Sequence, residues 1–207
     1  MGSSVQHEQS ETPMDKLTRN DLYSLEKYAE VRPGFRSEVM AHKKHRQVQV
    51  GPHARLSFED RLTMQYQIQE MLRVERIFEA QGIEDELNAY NPLIPDGTNW
   101  KATFMMEYED PAERHLALAK LIGIEDRVWI RVQDFERVWA VADEDLERET
   151  TEKTSSVHFL RFDLTPAMSA AVKADANISV GIDHPAYSYQ VDPVDQLLRD
   201  SLARDLG

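Results

Sequence analysis

Residues 91–108 read Asn91-Pro92-Leu93-Ile94-Pro95-Asp96-Gly97-Thr98-Asn99-Trp100-Lys101-Ala102-Thr103-Phe104-Met105-Met106-Glu107-Tyr108, and this stretch divides the chain into two architectures. Its first half is turn-rich, with two prolines and an Asp-Gly pair that supplies turn geometry. Its second half, from Trp100 to Tyr108, reads as a strand. On the C-terminal side short strands alternate with helices. Asp110-Pro111 followed by Glu113 places an N-cap, a first-position proline and an acidic first turn before an alanine- and leucine-rich helix ending at Gly123. Arg127 to Val132 and Arg137 to Val141 read as strands joined by a turn over 133–136. Val157 to Leu164 is another strand, Thr165-Pro166 opens a helix, and Asn177 to Asp183 is the last strand. Pro193 to Leu206 reads as an amphipathic terminal helix, and the charged spacing from Asp143 to Lys153 as an exposed helical turn and loop. Runs this short favour a mixed, mainly antiparallel sheet with helices on one face.

On the N-terminal side the pattern is helical. Thr18 with Asp21 three residues later is an N-cap arrangement opening a helix through about Glu30, and Arg32-Pro33-Gly34 breaks it. A second helix runs from Phe35 to about His45. Val48 and Val50 alternate before Gly51-Pro52, and Arg55 to Phe58 returns as the other arm of a small hairpin. From Glu59 to Ala80 the residues Met64, Ile68, Met71, Leu72 and Phe78 recur at three- and four-residue steps, which predicts one long helix ended by Gly82. A short helix over Glu84 to Tyr90 follows. The expectation is an α+β protein, with an N-terminal helical layer packed on the sheet. Residues 1–13 form a polar, mobile tail, 14–97 the helical region with its hairpin, and 98–207 the sheet region, the last two making one compact domain.

The chain has 207 residues, 41% of them hydrophobic, enough for a sizeable core. Its 24 basic and 37 acidic residues give a net charge of −13, which repels phosphate backbones and argues against nucleic-acid binding. The absence of cysteine excludes thiolate zinc sites, cysteine-ligated iron–sulfur clusters and thiol nucleophiles. Met1 to Thr12 has no apolar signal segment and no stretch is long enough to span a membrane, so a cytoplasmic location is expected.

Against that acidic background, Arg36 to Arg55 holds Arg36, Lys43, Lys44, Arg46 and Arg55 with only Glu38 opposing them, and it carries His42, His45 and His53. Such a segment suits an anion, an acidic partner, or iron or zinc held by imidazoles; it also suits a solvated helix face. The long helix offers a polar stripe of Glu59, Thr63, Tyr66, Glu70 and Arg73, with Arg73 placed to orient Glu70. Its glutamines at 65, 67 and 69 hint at packing against another protein surface. The candidate metal ligands are therefore His42, His45, His53 and Glu70. The candidate anion- or partner-binding residues are Lys43, Lys44, Arg46, Arg73, Trp100 and Lys101, the last two in a loop that either lines a pocket or joins helix to strand. His158, between apolar neighbours, reads as a buried core histidine, and Asp183-His184-Pro185 as a metal-type pair or a strand-ending turn. No phosphate loop, nucleophile elbow or H-E-x-x-H motif occurs.

The runs His42-Lys43-Lys44, Gly51-Pro52-His53, Phe58-Glu59-Asp60, Met64-Gln65-Tyr66-Gln67-Ile68-Gln69-Glu70-Met71-Leu72-Arg73, Tyr90-Asn91-Pro92-Leu93-Ile94-Pro95, Asn99-Trp100-Lys101-Ala102-Thr103 and Val157-His158-Phe159-Leu160-Arg161-Phe162 resemble a bacterial family known only as a domain of unknown function, from Met14 to Asp192. Its members are often encoded beside rubrerythrin and a heterodisulfide-reductase-like iron–sulfur protein. The resemblance implies a role near oxidative-stress defence or electron transfer. One expectation is an accessory protein that docks a rubrerythrin-like or iron–sulfur partner without a redox centre of its own. The other is an iron- or zinc-dependent enzyme or metal-binding protein built on the histidine cluster.

Overall fold

The computed structural model describes residues 15–144 and 153–207. The expected tail over 1–13 and most of the expected loop from Asp143 to Lys153 lie outside the described residues.

Helix α1 (Leu25–Lys43) starts at Ser24, whose hydroxyl accepts from the Lys27 amide. It runs straight through Pro33-Gly34, where the sequence predicted a break. Proline removes a bond to the carbonyl four residues back and crowds it. Here both Ala29 and Pro33 face solvent, so water can satisfy that carbonyl, while the buried Tyr28 and Val39 anchor the helix on either side. Helix α2 (Arg61–Glu75) is opened by a reciprocal cap in which Asp60 accepts from the Thr63 amide and Thr63 Oγ1 from the Asp60 amide, both at 2.9 Å. It ends at Arg76, in the left-handed region at φ 55°, well before Gly82. Gly82 lies inside α3 (Ala80–Tyr90), where a Cβ would come within 2.6 Å of Ile77 Cγ2; the glycine serves close packing, not termination. Phe78, read as a core position, falls in the α2–α3 turn and is 70% exposed. The helical layer has its own small core of Leu17, Met64, Ile68, Leu72, Leu87 and Ile94.

Two antiparallel sheets replace the single one expected. The first has the order β1-β2-β3-β7-β6, with β1 (Gln47–Val50), β2 (Ala54–Glu59), β3 (Asn99–Met106), β7 (Val157–Asp163) and β6 (Val141–Ala142). The second has the order β5-β4-β8-β9, with β4 (Val128–Val132), β5 (Val138–Trp139), β8 (Ile178–His184) and β9 (Tyr187–Val191). The predicted strand over 137–141 is thus split between the sheets at Ala140, and β9 was not foreseen. One apolar core joins their inner faces and takes in α4 (Pro111–Lys120), α5 (Pro166–Lys173) and α6 (Gln196–Ala203) through Leu118, Val172, Leu198 and Leu202. Trp100 is at its centre, its indole donating to the Leu202 carbonyl at 3.0 Å. No helix among the described residues is long and apolar enough to cross a membrane.

Candidate functional site

Strand β3 alternates strictly. Trp100, Ala102, Phe104 and Met106 point into the core, and Lys101, Thr103 and Met105 point to the other side. Antiparallel register puts Glu59, Lys101 and Arg161 in one row across that outer face and Ser57, Thr103 and Phe159 in the next. The helical layer covers only part of this face. Where α3 and the Asn91–Leu93 turn lean over it, a cleft of about 380 Å³ remains, walled by Asn88, Ala89, Pro92 and Leu93 on one side and by Lys101, Glu144, Phe159, Leu160 and Arg161 on the other. That volume falls in the range of small-molecule sites, which form preferentially between packed units.

The cations around the cleft are not equivalent. Arg161 is matched twice. Its Nε and Nη2 donate to the two oxygens of Glu144 at 2.8 and 2.9 Å, and Nη1 pairs with Asp163. These contacts hold the Arg161 value up and the Glu144 carboxyl below the ordinary carboxylate range. Lys16 donates to the Asn91 and Ile94 carbonyls at 2.8 and 2.9 Å. Lys101, half-buried, has no hydrogen-bond or ion-pair partner among the described residues. Its ammonium is held below the ordinary lysine value, first by burial and then by Arg161 and Lys16, with Glu144 and Asp96 opposing. Among the described residues, the cleft therefore has mostly apolar walls, one side-chain amide at Asn88, and one unmatched positive charge at Lys101.

The basic, histidine-bearing segment is taken apart by the fold. Arg46 is fully buried and donates to the carbonyls of Phe58, Glu59 and Ser201, to Ser201 Oγ and to both oxygens of Asp205. It is an internal rivet between β2 and α6, not an anion site. His42 Nε2 bonds Asp60 at 2.5 Å, and that contact with Arg46 holds the Asp60 carboxyl down despite its burial. His45 is exposed just after α1. His53 lies at the far end of the β1–β2 hairpin, stacked on Tyr108 at 4.1 Å with Nδ1 against the Glu107 carbonyl. Glu70 is elsewhere again, bridging α1 and α2: it accepts from Tyr28 at 2.7 Å and from Arg32 at 2.7 and 2.9 Å. The four predicted metal ligands therefore do not converge, because a strand separates His53 from the other histidines and Glu70 is saturated by cations.

The polar stripe is divided: Glu59 and Thr63 are buried and bond each other, with Glu59 also accepting from Thr103 of β3, while Tyr66 and Glu70 pack on α1. Arg73 is an exposed i,i+3 pair with Glu70, and Tyr66 packs on Phe35. Gln65 and Gln69 bond the Asp21 and Tyr23 backbone, so the protein surface the glutamines hinted at is the chain's own N-terminal segment. His184 is structural: Nδ1 accepts from the Ala186 amide, so Nε2–H donates to the Ile122 carbonyl. Of the six residues expected to bind an anion or partner, Trp100 and Arg46 are internal, Arg73 is paired, Lys43 and Lys44 lie at the end of α1, and only Lys101 lines the cleft. Arg161, Glu144 and Asn88 were missed. They join Lys101 through strand register and helix packing, which no local motif announces.

Residues 16–206 match the model of a family described as a protein of unknown function (DUF3501). The crystal structure of a novel protein of unknown function from Burkholderia pseudomallei K96243 is 55% identical, covers 93% of this chain and 100% of its own, and superposes with a TM-score of 0.89. No curated protein matches.

Proposed function

The chain belongs to the DUF3501 family of proteins of unknown function, and from the geometry of its cleft we propose that it binds a small carboxylate with an apolar body. One observation carries the reading: the Lys101 ammonium, held below its ordinary value by burial, has no partner among the described residues inside a ligand-sized cleft. Burying a charge unpaired is unfavourable, and a bound carboxylate would supply a charge-assisted hydrogen bond. A single negative charge fits better than a phosphate dianion, because Arg161 and Lys16 are already matched. Ala89, Pro92 and Leu93 would cover the apolar body, and Asn88 would orient it through its amide. The test is an NMR survey of aryl and branched aliphatic carboxylates against the labelled protein. Shifts should cluster at Asn88, Leu93, Lys101 and Phe159 and vanish in Lys101→Met; shifts elsewhere, or unchanged by that substitution, would refute the site.

The docking role beside a rubrerythrin-like or iron–sulfur protein, implied by family resemblance, is a second reading. It would now rest on Lys43 and Lys44, which carry no pairing among the described residues. Loss of a co-purifying partner on Lys43→Glu/Lys44→Glu would support it.

A further inference from the structure

His158 lies on the inner side of β7, opposite Phe104, and is fully buried. Among the described residues, the polar atoms that contact its ring are oxygens. Nδ1 bonds Asp143, and the backbone sets Asp143 for that contact: it occupies the left-handed region at φ 46°, where aspartate is tolerated, and its second oxygen accepts from the Phe159 amide at 2.9 Å. In the tautomer that donates Nδ1–H to Asp143 and carries no second proton, Nε2 presents a lone pair. That nitrogen faces Thr154 Oγ1 at 2.9 Å, the Ser155 carbonyl at 3.0 Å and a Glu125 carboxylate oxygen at 3.7 Å, while Thr154 and Glu125 are 3.2 Å apart. The threonine has one proton to give, and the Ser155 carbonyl can only accept.

Four donors held tetrahedrally about 2.0–2.1 Å from a metal stand about 3.3–3.4 Å from one another. The four separations given, from 2.9 to 3.7 Å, bracket that spacing. Glu125, Asp143 and His158 are also the one group of potential ligands among the described residues with mutually close donor atoms. We propose that Glu125, Thr154, His158 and the Ser155 carbonyl bind one divalent cation of the manganese-to-zinc series. Asp143 is the carboxylate that fixes the far side of the imidazole, the usual support of a metal-bound histidine. An imidazole with three oxygens selects that series over soft cations. Four protein donors in a buried position leave no open coordination site, so the ion is structural: it ties the turn at Glu125–Arg127 to the edge of β7. The site lies across β7 from the Lys101 cleft, and its failure would leave the carboxylate reading intact.

The experiment uses the full chain, stripped of metal by a chelator and titrated calorimetrically with zinc chloride and, separately, manganese chloride. One equivalent should bind, and the thermal midpoint should rise with added metal. Glu125→Gln keeps shape and should weaken binding at least about tenfold, and Asp143→Asn about 10–100-fold, the range found for such supporting groups. Because His158→Ala leaves a cavity in the core, the ring is read in the wild type by nitrogen NMR, where metal should shift Nε2 far more than Nδ1. No saturable binding of either metal overturns the site. So does binding that Glu125→Gln and Asp143→Asn leave unchanged, or a ring that keeps protons on both nitrogens at saturating metal.

Discussion

Replacing Arg46 by methionine removes a guanidinium that is 1% exposed and makes six hydrogen bonds, two of them to Asp205. Methionine fills most of the volume, so the loss is electrostatic: Asp205 and Asp60 stay inside without their counter-charge, and three carbonyls lose a donor. Breaking a buried pair from one side costs about 3–5 kcal/mol. The effect must also depend on pH. Burial raises the Asp205 carboxyl from 3.8 to about 6 even with Arg46 opposing it. A group whose folded value lies above its unfolded value contributes stability that is complete below 3.8 and lost as pH rises through 6, here about 3 kcal/mol. Without Arg46 the folded value climbs further, and each added unit extends the loss by about 1.4 kcal/mol. The deficit of Arg46→Met should therefore be larger at pH 8 than at pH 5, and Arg46→Met/Asp205→Asn should recover part of it and flatten the pH dependence. Urea unfolding followed by tryptophan fluorescence reads this, with Trp100 bonded to α6 as a local reporter. A deficit within the surface-substitution range of about 0.5 kcal/mol, or one equal at both pH values, would refute the account.

Gly181 faces Trp129 across the β4–β8 ladder, and a Cβ there would meet the indole Cζ2 at 2.2 Å. Gly181→Ala should destabilise by about 1–3 kcal/mol in urea unfolding, since the ring is also pinned by Arg137 at 4.2 Å and cannot retreat freely. Glu70 is held down from 4.5 to about 2, chiefly by Arg32, so its contribution is complete above pH 4.5 and is lost as pH falls through 2. Solvent around the two arginines screens this to about 1–2 kcal/mol, and Glu70→Gln should show a shallower acid loss between pH 5 and 2 than the wild type. His42→Ala/His45→Ala should leave the zinc and manganese stoichiometry unchanged, because neither residue reaches the Glu125–His158 group; loss of metal in that variant would restore the original histidine cluster.

The α+β class and many elements were legible because they are punctuated locally: Asp110-Pro111 and Thr165-Pro166 did open helices, whereas Thr18 and Asp21 cap only the short turn Arg19–Asp21 and Ser24 opens α1. What misled was punctuation overruled by packing. Pro33-Gly34 sits on a solvent-facing side of α1 and is absorbed, and Gly82 makes room for Ile77 instead of ending a helix. The site was harder, for a different reason. Charge counting treats Arg46 and Lys44 alike, yet one is a rivet in the core and the other is solvated. His158 was correctly read as buried, but its partners Asp143 and Glu125 lie 15 and 33 positions upstream, and it takes the β6–β7 edge together with the Glu125–Arg127 turn packed beside it to bring them to its ring. Lys101 was singled out for the turn-rich loop around it; its actual neighbour Arg161 is a product of strand register.

The claim at the centre of this account is that Lys101 waits in its cleft for a negative charge. Its ammonium can be titrated directly by NMR on protein whose lysines carry a carbon-13 methyl label, with Lys101→Arg to assign the resonance. The ammonium should titrate below the ordinary lysine value in the free protein and move back toward it when a bound carboxylate saturates the cleft. A Lys101 resonance that titrates at the ordinary lysine value, or that no carboxylate moves, would contradict the carboxylate site.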